Sequence, residues 1–252
     1  MTYVMSDIHG NKRNFDSILK QINLQPDDEL YVLGDVIDRY PDGIKILLWL
    51  MKRPNTWVLL GNHEYMMLKA IDKPYEHIKW RTRNNVEQSL YHWYRNGGKV
   101  THDYLKRIRK DTRRLIFDYL HSLPINMNIE VNGIKYKLVH ASPCENFGTH
   151  GRDYENHYEF GVWHRWNQCE PVPEGYVMIF GHTPTVDFQD DNILRIWHSD
   201  EAIGIDCGSG YSEERNYWSY KGRLACLRLE DMKEFYSYSP YVMDDAVTRV
   251  QK

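Results

Sequence analysis

TYVMSDIHGNKRNFDSILKQI (residues 2–22), ELYVLGDVIDRYPDGIKILLWLMK (29–52) and WVLLGNHEYM (57–66) decide how this chain is read. Each opens with a short, apolar, β-prone run, at 2–5, 29–33 and 57–60. Helical spacing follows: Phe15, Ile18, Leu19 and Ile22 recur on one face of 11–22, and 43–52 is a second apolar helix. Strand, loop and helix repeated three times predict a mostly parallel sheet. The loops SDIHGN, GDVIDRYPDG and GNHEYM would then emerge together at the carboxyl edge, where such sheets bind ligands.

Outward from that core, 65–122 reads as a helical insert, with helices at 66–71, 86–95 and 101–120 broken by Pro74 and Gly97-Gly98. In the last, Leu105, Ile108, Leu115, Ile116, Tyr119 and Leu120 form one apolar stripe. After Pro124 the chain turns β-rich. Alternating runs around Asn132-Gly133 predict a hairpin, and 176–180, 194–197 and 223–229 are further strands. HAS (140–142) and GHT (181–183) again leave strand ends. One domain over 1–252 is expected, with a loosely ordered tail over 231–252.

The 252 residues are 42% hydrophobic and 27% charged, a globular balance that excludes wholesale disorder. A net charge of −3 gives no global field for nucleic acid. The basic run from Lys99 to Arg114 falls between apolar helix positions and reads as a solvated face. Neither a signal segment nor a membrane-length apolar stretch is present in the sequence. The four cysteines form no C-x-x-C pair, which fits reduced thiols. A cytoplasmic protein is expected, with neither nucleic-acid nor membrane partners.

Five segments share one composition: Asp7-Ile8-His9, Gly34-Asp35-Val36-Ile37-Asp38-Arg39, Gly61-Asn62-His63-Glu64, His140 and Gly181-His182. Asp, His and Asn suit manganese, iron or zinc. The set is too large for one ion, and two cations roughly 3.5–4 Å apart need a bridging carboxylate, for which Asp35 is the natural choice. Phosphoester hydrolysis wants such a set, because paired cations activate water and neutralise phosphoryl charge. Arg39 suits phosphate oxygens, His63 stands close enough to protonate a leaving group, and Asp38 could orient its ring. One such motif alone is ordinarily a cap or a solvated loop; Ser6-Asp7, for instance, could cap the helix beginning near Asn11. His77, His92, His102, His121, His157 and His198 carry that ordinary reading. His150 and His164 stand nearer the site loops.

In this order the segments resemble the calcineurin-like metallophosphoesterases, and within them the phosphoprotein phosphatase branch with its bacterial and lambda-type phage members. The resemblance runs from Asp7 to about Asp206. It implies a two-sheet β-sandwich flanked by helices (α/β, layered), with a dinuclear site at strand carboxyl ends. It implies Asp7, His9 and Asp35 at one metal, and Asp35, Asn62, His140 and His182 at the other. His63 with Asp38 becomes the acid pair, Arg39 a phosphate clamp and Arg165 of Trp163-His164-Arg165 a second one. The implied activity is a manganese-dependent phosphomonoesterase, a serine/threonine phosphatase acting on a phosphorylated protein, peptide or small phosphoester. The alternative is a bis(5'-nucleosyl)-tetraphosphatase; a phosphodiesterase fits the modest charge less well, and an inactive scaffold would lack a ligand, whereas none is missing. Tyr40-Pro41 departs from the pattern, which usually has glycine after the arginine. Tyr40 is expected to face solvent, although it could stack on a base.

Overall fold

The computed structural model describes residues 1–72, 83–191, 193–211 and 222–237. Strands β1 (Thr2–Met5), β2 (Glu29–Val32) and β3 (Thr56–Val58) run parallel, joined through helices α1 (Lys12–Ile22) and α2 (Gly43–Lys52). This is the predicted βαβαβ unit. Two antiparallel strands from the far end of the chain complete the sheet on its other side: β9 (Ala225–Arg228) pairs with β1, and β10 (Lys233–Tyr236) with β9. Residues 233–236, expected to belong to a loosely ordered tail, are this paired strand; residues 238–252 lie outside the described residues.

The second sheet has the order β4 (Asn126–Val131), β5 (Ile134–Val139), β6 (Val177–Phe180), β8 (Ala202–Gly204) and β7 (Trp197–His198). The β4–β5 turn has positive φ at both Asn132 (52°) and Gly133 (79°), the backbone that the Asn-Gly pair favours in a tight hairpin. The run 194–197 is not a strand until Trp197. Leu194 and Ile196 are buried nonetheless, and the Ile196 N–H goes to the Tyr236 hydroxyl instead of a ladder partner.

Side-chain alternation sorts the layers. Val4, Tyr31, Leu33 and Leu59 of the first sheet meet Tyr136, Leu138, Ile179 and Ile203 of the second. Tyr3, Met5, Leu30 and Val32 point the other way, onto Phe15, Ile18, Leu47 and Leu50 of α1 and α2. The outer face of the second sheet packs Phe180 and Met178 against Trp166, with Phe188 and Trp197 alongside. The fold is thus the expected sandwich of two mixed sheets with helices outside. All four cysteines are free. No helix among the described residues is long and apolar enough to cross a membrane.

The insert contains α3 (Asn62–Ile71), α4 (Arg83–Arg95), α5 (Lys99–Leu105) and α6 (Lys110–Ser122). The single helix expected over 101–120 is two, because Arg109 is extended (φ −62°, ψ 148°) and restarts the helix in a new phase. Ile116 and Leu120 then face inward, four residues apart, while Leu115 is 56% exposed, off the predicted stripe. The basic run behaves as a solvated face, with Lys99 and Lys106 paired to Asp103 and Arg114 to Asp118.

Leu47 is fully buried between α2 and the first sheet. Leu47→Ala is expected to cost about 2–5 kcal/mol, read as a lowered denaturant midpoint with unchanged slope.

Candidate active site at the strand ends

Loops from both sheets converge at one edge. Asp7 and His9 follow β1, Asp35, Asp38 and Arg39 follow β2, Asn62 and His63 open α3, and His140 and His182 follow β5 and β6. The GNHE segment is not a loop throughout, since Asn62, His63 and Glu64 form the first turn of α3. Nor does Ser6-Asp7 cap α1: the Asn11 side chain does so, and the Ser6 hydroxyl donates to Asp7 Oδ2 at 2.5 Å.

The backbone here is bent into a region that side chains rarely occupy. Asp7, His9, Asp35, Asp38, Arg39 and His182 all have φ between 51° and 72°. Such strain persists only where the surroundings impose it, and it concentrates at functional sites. Glu64 supplies part of that restraint. Fully buried, it accepts N–H bonds from Gly61, Asp35, Val36 and Ile37, and so holds two loops together. Gly61 is required by their closeness, because a Cβ there would lie 2.3 Å from both the amide nitrogen and Oδ1 of Asp35.

Within this frame two donor clusters share one carboxylate: His9, Asp35 and His63 form one, and Asp35, His140 and His182 the other. Asp35 Oδ2 faces His9 Nε2 at 3.7 Å and Oδ1 faces His140 Nε2 at 3.5 Å. Asp7 Oδ1 stands 3.7 Å from His9 Nε2. Asn62 Oδ1 lies 3.0 Å from both His140 Nε2 and His182 Nδ1. The geometry thus groups His63 with the first cluster, where the sequence reading had Asp7.

These residues fit divalent cations for three reasons. First, three imidazoles have their outer nitrogens on backbone carbonyls: His9 Nδ1 on Ile37 (3.3 Å), His140 Nδ1 on Leu33 (2.6 Å) and His182 Nε2 on Trp163 (3.1 Å). An N–H donated outward leaves the lone pair of each ring facing in, as metal ligation needs. Second, burial holds these histidines neutral: His9 and His182 fall well below the ordinary histidine range and His140 below it, the charge of Arg39 adding to the effect at His9. Third, burial and the nearby charges of Asp7 and Glu64 push the Asp35 carboxyl well up, so the cluster lacks positive charge.

Beside the clusters, His63 Nδ1 meets Asp38 Oδ2 at 2.8 Å, both groups buried. Burial pushes the Asp38 carboxyl up to about 7, opposed by its hydrogen bonds with Thr101 and Trp93. Arg39 brings Nη2 to 3.5 Å from His63 Nε2 and lies over the Tyr211 ring. Arg165 reaches the same rim and donates from Nη1 to the His182 carbonyl at 3.1 Å. The Tyr40 hydroxyl donates to the Tyr211 carbonyl at 3.4 Å, so this ring is tied back where solvent was expected.

The chain as a whole matches known proteins. The family model described as calcineurin-like phosphoesterase matches residues 2–205. The chain is a calcineurin-like phosphoesterase. The phosphoesterase is 25% identical over 227 residues to a protein named serine/threonine-protein phosphatase 2 from Salmonella typhimurium, covering 87% of this chain and 92% of the relative. It is also 25% identical to a symmetrical bis(5'-nucleosyl)-tetraphosphatase from Salmonella newport, covering 96% of each. Among solved structures, a putative diadenosine tetraphosphatase shares the fold with a TM-score of 0.58 at 17% identity, covering 94% of both chains. The phosphoesterase is a hydrolase, and its family implies divalent metals.

Sequence reading gave no role to three residues here. Asp206 is buried after β8, and burial with the charge of Asp7 pushes its carboxyl up to about 8. Its signal was available: AIGIDCG repeats the apolar run, aspartate and glycine seen at Asp7 and Asp35. Glu64 and Trp93 are the others. His164 pairs with Glu170, adjoining Arg165 without joining the clusters, and His150 lies against its ring. His92 lies against Trp163, His102 against Tyr94, His121 pairs with Asp72 and His198 with Glu234; His77 lies outside the described residues.

Asp35 is the only residue common to both donor clusters. Asp35→Asn is therefore expected to lower the content of both metals together, measured by mass spectrometry after manganese loading, whereas His182→Asn should lower one.

Proposed function

We propose that this phosphoesterase is a protein serine/threonine phosphatase, removing phosphate from phosphoserine and phosphothreonine side chains. The carrying observation is the buried His63–Asp38 hydrogen bond of 2.8 Å, set beside Arg39 and bordering the shared donor clusters. Asp7, His9 and Asp35 would hold one divalent cation, and Asp35, Asn62, His140 and His182 a second, with manganese the favoured ion. Bound cations supply Lewis acidity, toward the attacking water and toward the phosphoryl oxygens.

The protein supplies the rest. Arg39 and Arg165 offer planar forks to the phosphoryl oxygens. Because Arg39 Nη2 stands 3.5 Å from His63 Nε2, a phosphoryl group gripped by Arg39 keeps its ester oxygen next to the imidazole. With Nδ1–H bonded to Asp38, the imidazolium form of His63 carries its second proton on Nε2 and delivers it to the departing alkoxide, becoming neutral. A monoester uses two arginines well, since its terminal phosphoryl group carries more charge and less bulk than a diester.

Hydrolysis of dinucleoside tetraphosphates is the second reading. The length match favours it, because the Salmonella newport relative of that name covers 96% of both chains. The tie from Tyr40 to Tyr211 works against one route to it, since a restrained ring is less free to stack on adenine.

His63→Asn is expected to retain metal and lose about 10²- to 10⁴-fold in kcat on a phosphoserine peptide. The loss on 4-nitrophenyl phosphate should be smaller, as that leaving group needs little protonation. In a manganese-supplemented panel, kcat/KM for a phosphothreonine peptide should exceed that for diadenosine tetraphosphate, and Tyr40→Gly should leave the peptide activity within about threefold. The reverse ranking, with dinucleotide activity collapsing in Tyr40→Gly, would establish the second reading.

A further inference from the structure

Helix α4 reaches the acid pair through one side chain. Trp93, on α4, is fully buried, and its Nε1–H donates to Asp38 Oδ2 at 2.7 Å. The same oxygen takes the His63 Nδ1–H. An indole nitrogen can only donate, so Asp38 Oδ2 accepts from Trp93, and as a carboxylate oxygen it accepts from His63 Nδ1–H as well. That arrangement places the proton on Nδ1 of His63 and turns Nε2 toward Arg39 and Asp35, at 3.5 and 3.8 Å.

The turn after α4 and the first turn of α5 hold the same loop by its backbone N–H groups. The Asp38 N–H donates to Thr101 Oγ1 at 3.1 Å, and the Arg39 N–H to the Gly97 carbonyl at 3.2 Å. These bonds offset the positive φ of both residues (72° and 64°). Gly98 lies flat on the indole, where a Cβ would come within 2.3 Å of Nε1. Nothing else in the described residues gives this ring a polar role, and an apolar core position would be filled as well by phenylalanine.

We propose that Trp93 is a positioning residue for the general acid: its indole N–H holds Asp38 so that His63 presents Nε2 to the leaving group. The proposal rests on the reading of His63 as that acid. Trp93→Phe keeps the ring volume and deletes the donor. With folding checked by thermal melting and metal content by mass spectrometry, kcat on a phosphoserine peptide should fall about tenfold to a hundredfold, the worth of a hydrogen bond to a charged group. KM should hold, and 4-nitrophenyl phosphate should lose less. In an Asp38→Asn background, adding Trp93→Phe should cost nothing further, because Trp93 acts through Asp38.

An equal loss on both substrates, or losses that multiply in the double variant, would overturn the proposal and leave Trp93 a packing residue. Should Trp93→Phe fail to fold, Gly98→Ala tests the same bond by pushing on the indole, and must give the same leaving-group dependence or the proposal fails. The two levels separate cleanly. If Asp38→Asn itself shows no leaving-group dependence, the acid reading falls and this proposal with it. If Asp38→Asn shows it and Trp93→Phe does not, only the role of Trp93 falls.

Discussion

The carboxylate of Asp35 stands between imidazoles on two sides, close to Asp7 and Glu64, where water has been excluded. Like charges in such a place repel strongly, and neither partner can lower the cost by turning outward. The rest of the edge is arranged around that problem. Glu64 spends its oxygens on four backbone N–H groups, His9, His140 and His182 give their outer protons to carbonyls, and the loops accept a left-handed backbone to bring the donors inward. Divalent cations, which the family implies, would balance the charge gathered here.

The scaffold explains why strain can be stored there. Strands β1 and β2 and strands β5 and β6 are inner members of their sheets, with a continuous apolar layer between them. Rigid elements on both sides fix where each loop begins and ends. A loop with fixed ends can be held at positive φ, whereas a loop on a mobile support would relax.

The alternating first unit was legible because short apolar β-prone runs such as TYVM give way cleanly to a period of 3.6 in the helix holding Phe15, Ile18 and Ile22. The donors were legible because Asp, His and Asn recur at successive strand ends. What escaped was long-range. Strand β10 is short and polar at its start, and only its pairing with β9 makes it a strand. The break at Arg109 comes from a change of phase between two faces that each look helical locally. Trp93 sits in an ordinary helical pattern, so its apolar character masked an N–H aimed at a carboxylate contributed 55 residues earlier. Asp206 was missed for a different reason, since its strand β8 is only three residues long.

The pairing of β1 with β9 bears on how the chain is made. Val4 lies opposite Leu227, and Asp7 takes the amide of His182, so the segment at residues 4–7 waits for partners about 175 and 223 positions later. On the ribosome the βαβαβ unit can close early, but β1 remains an unpaired edge until residues 225–228 emerge. An exposed apolar edge strand invites pairing with other chains, and contacts so distant in sequence slow folding. A growing chain can therefore carry all five motifs while β1, the strand that leads into the first of them, is still an unpaired edge.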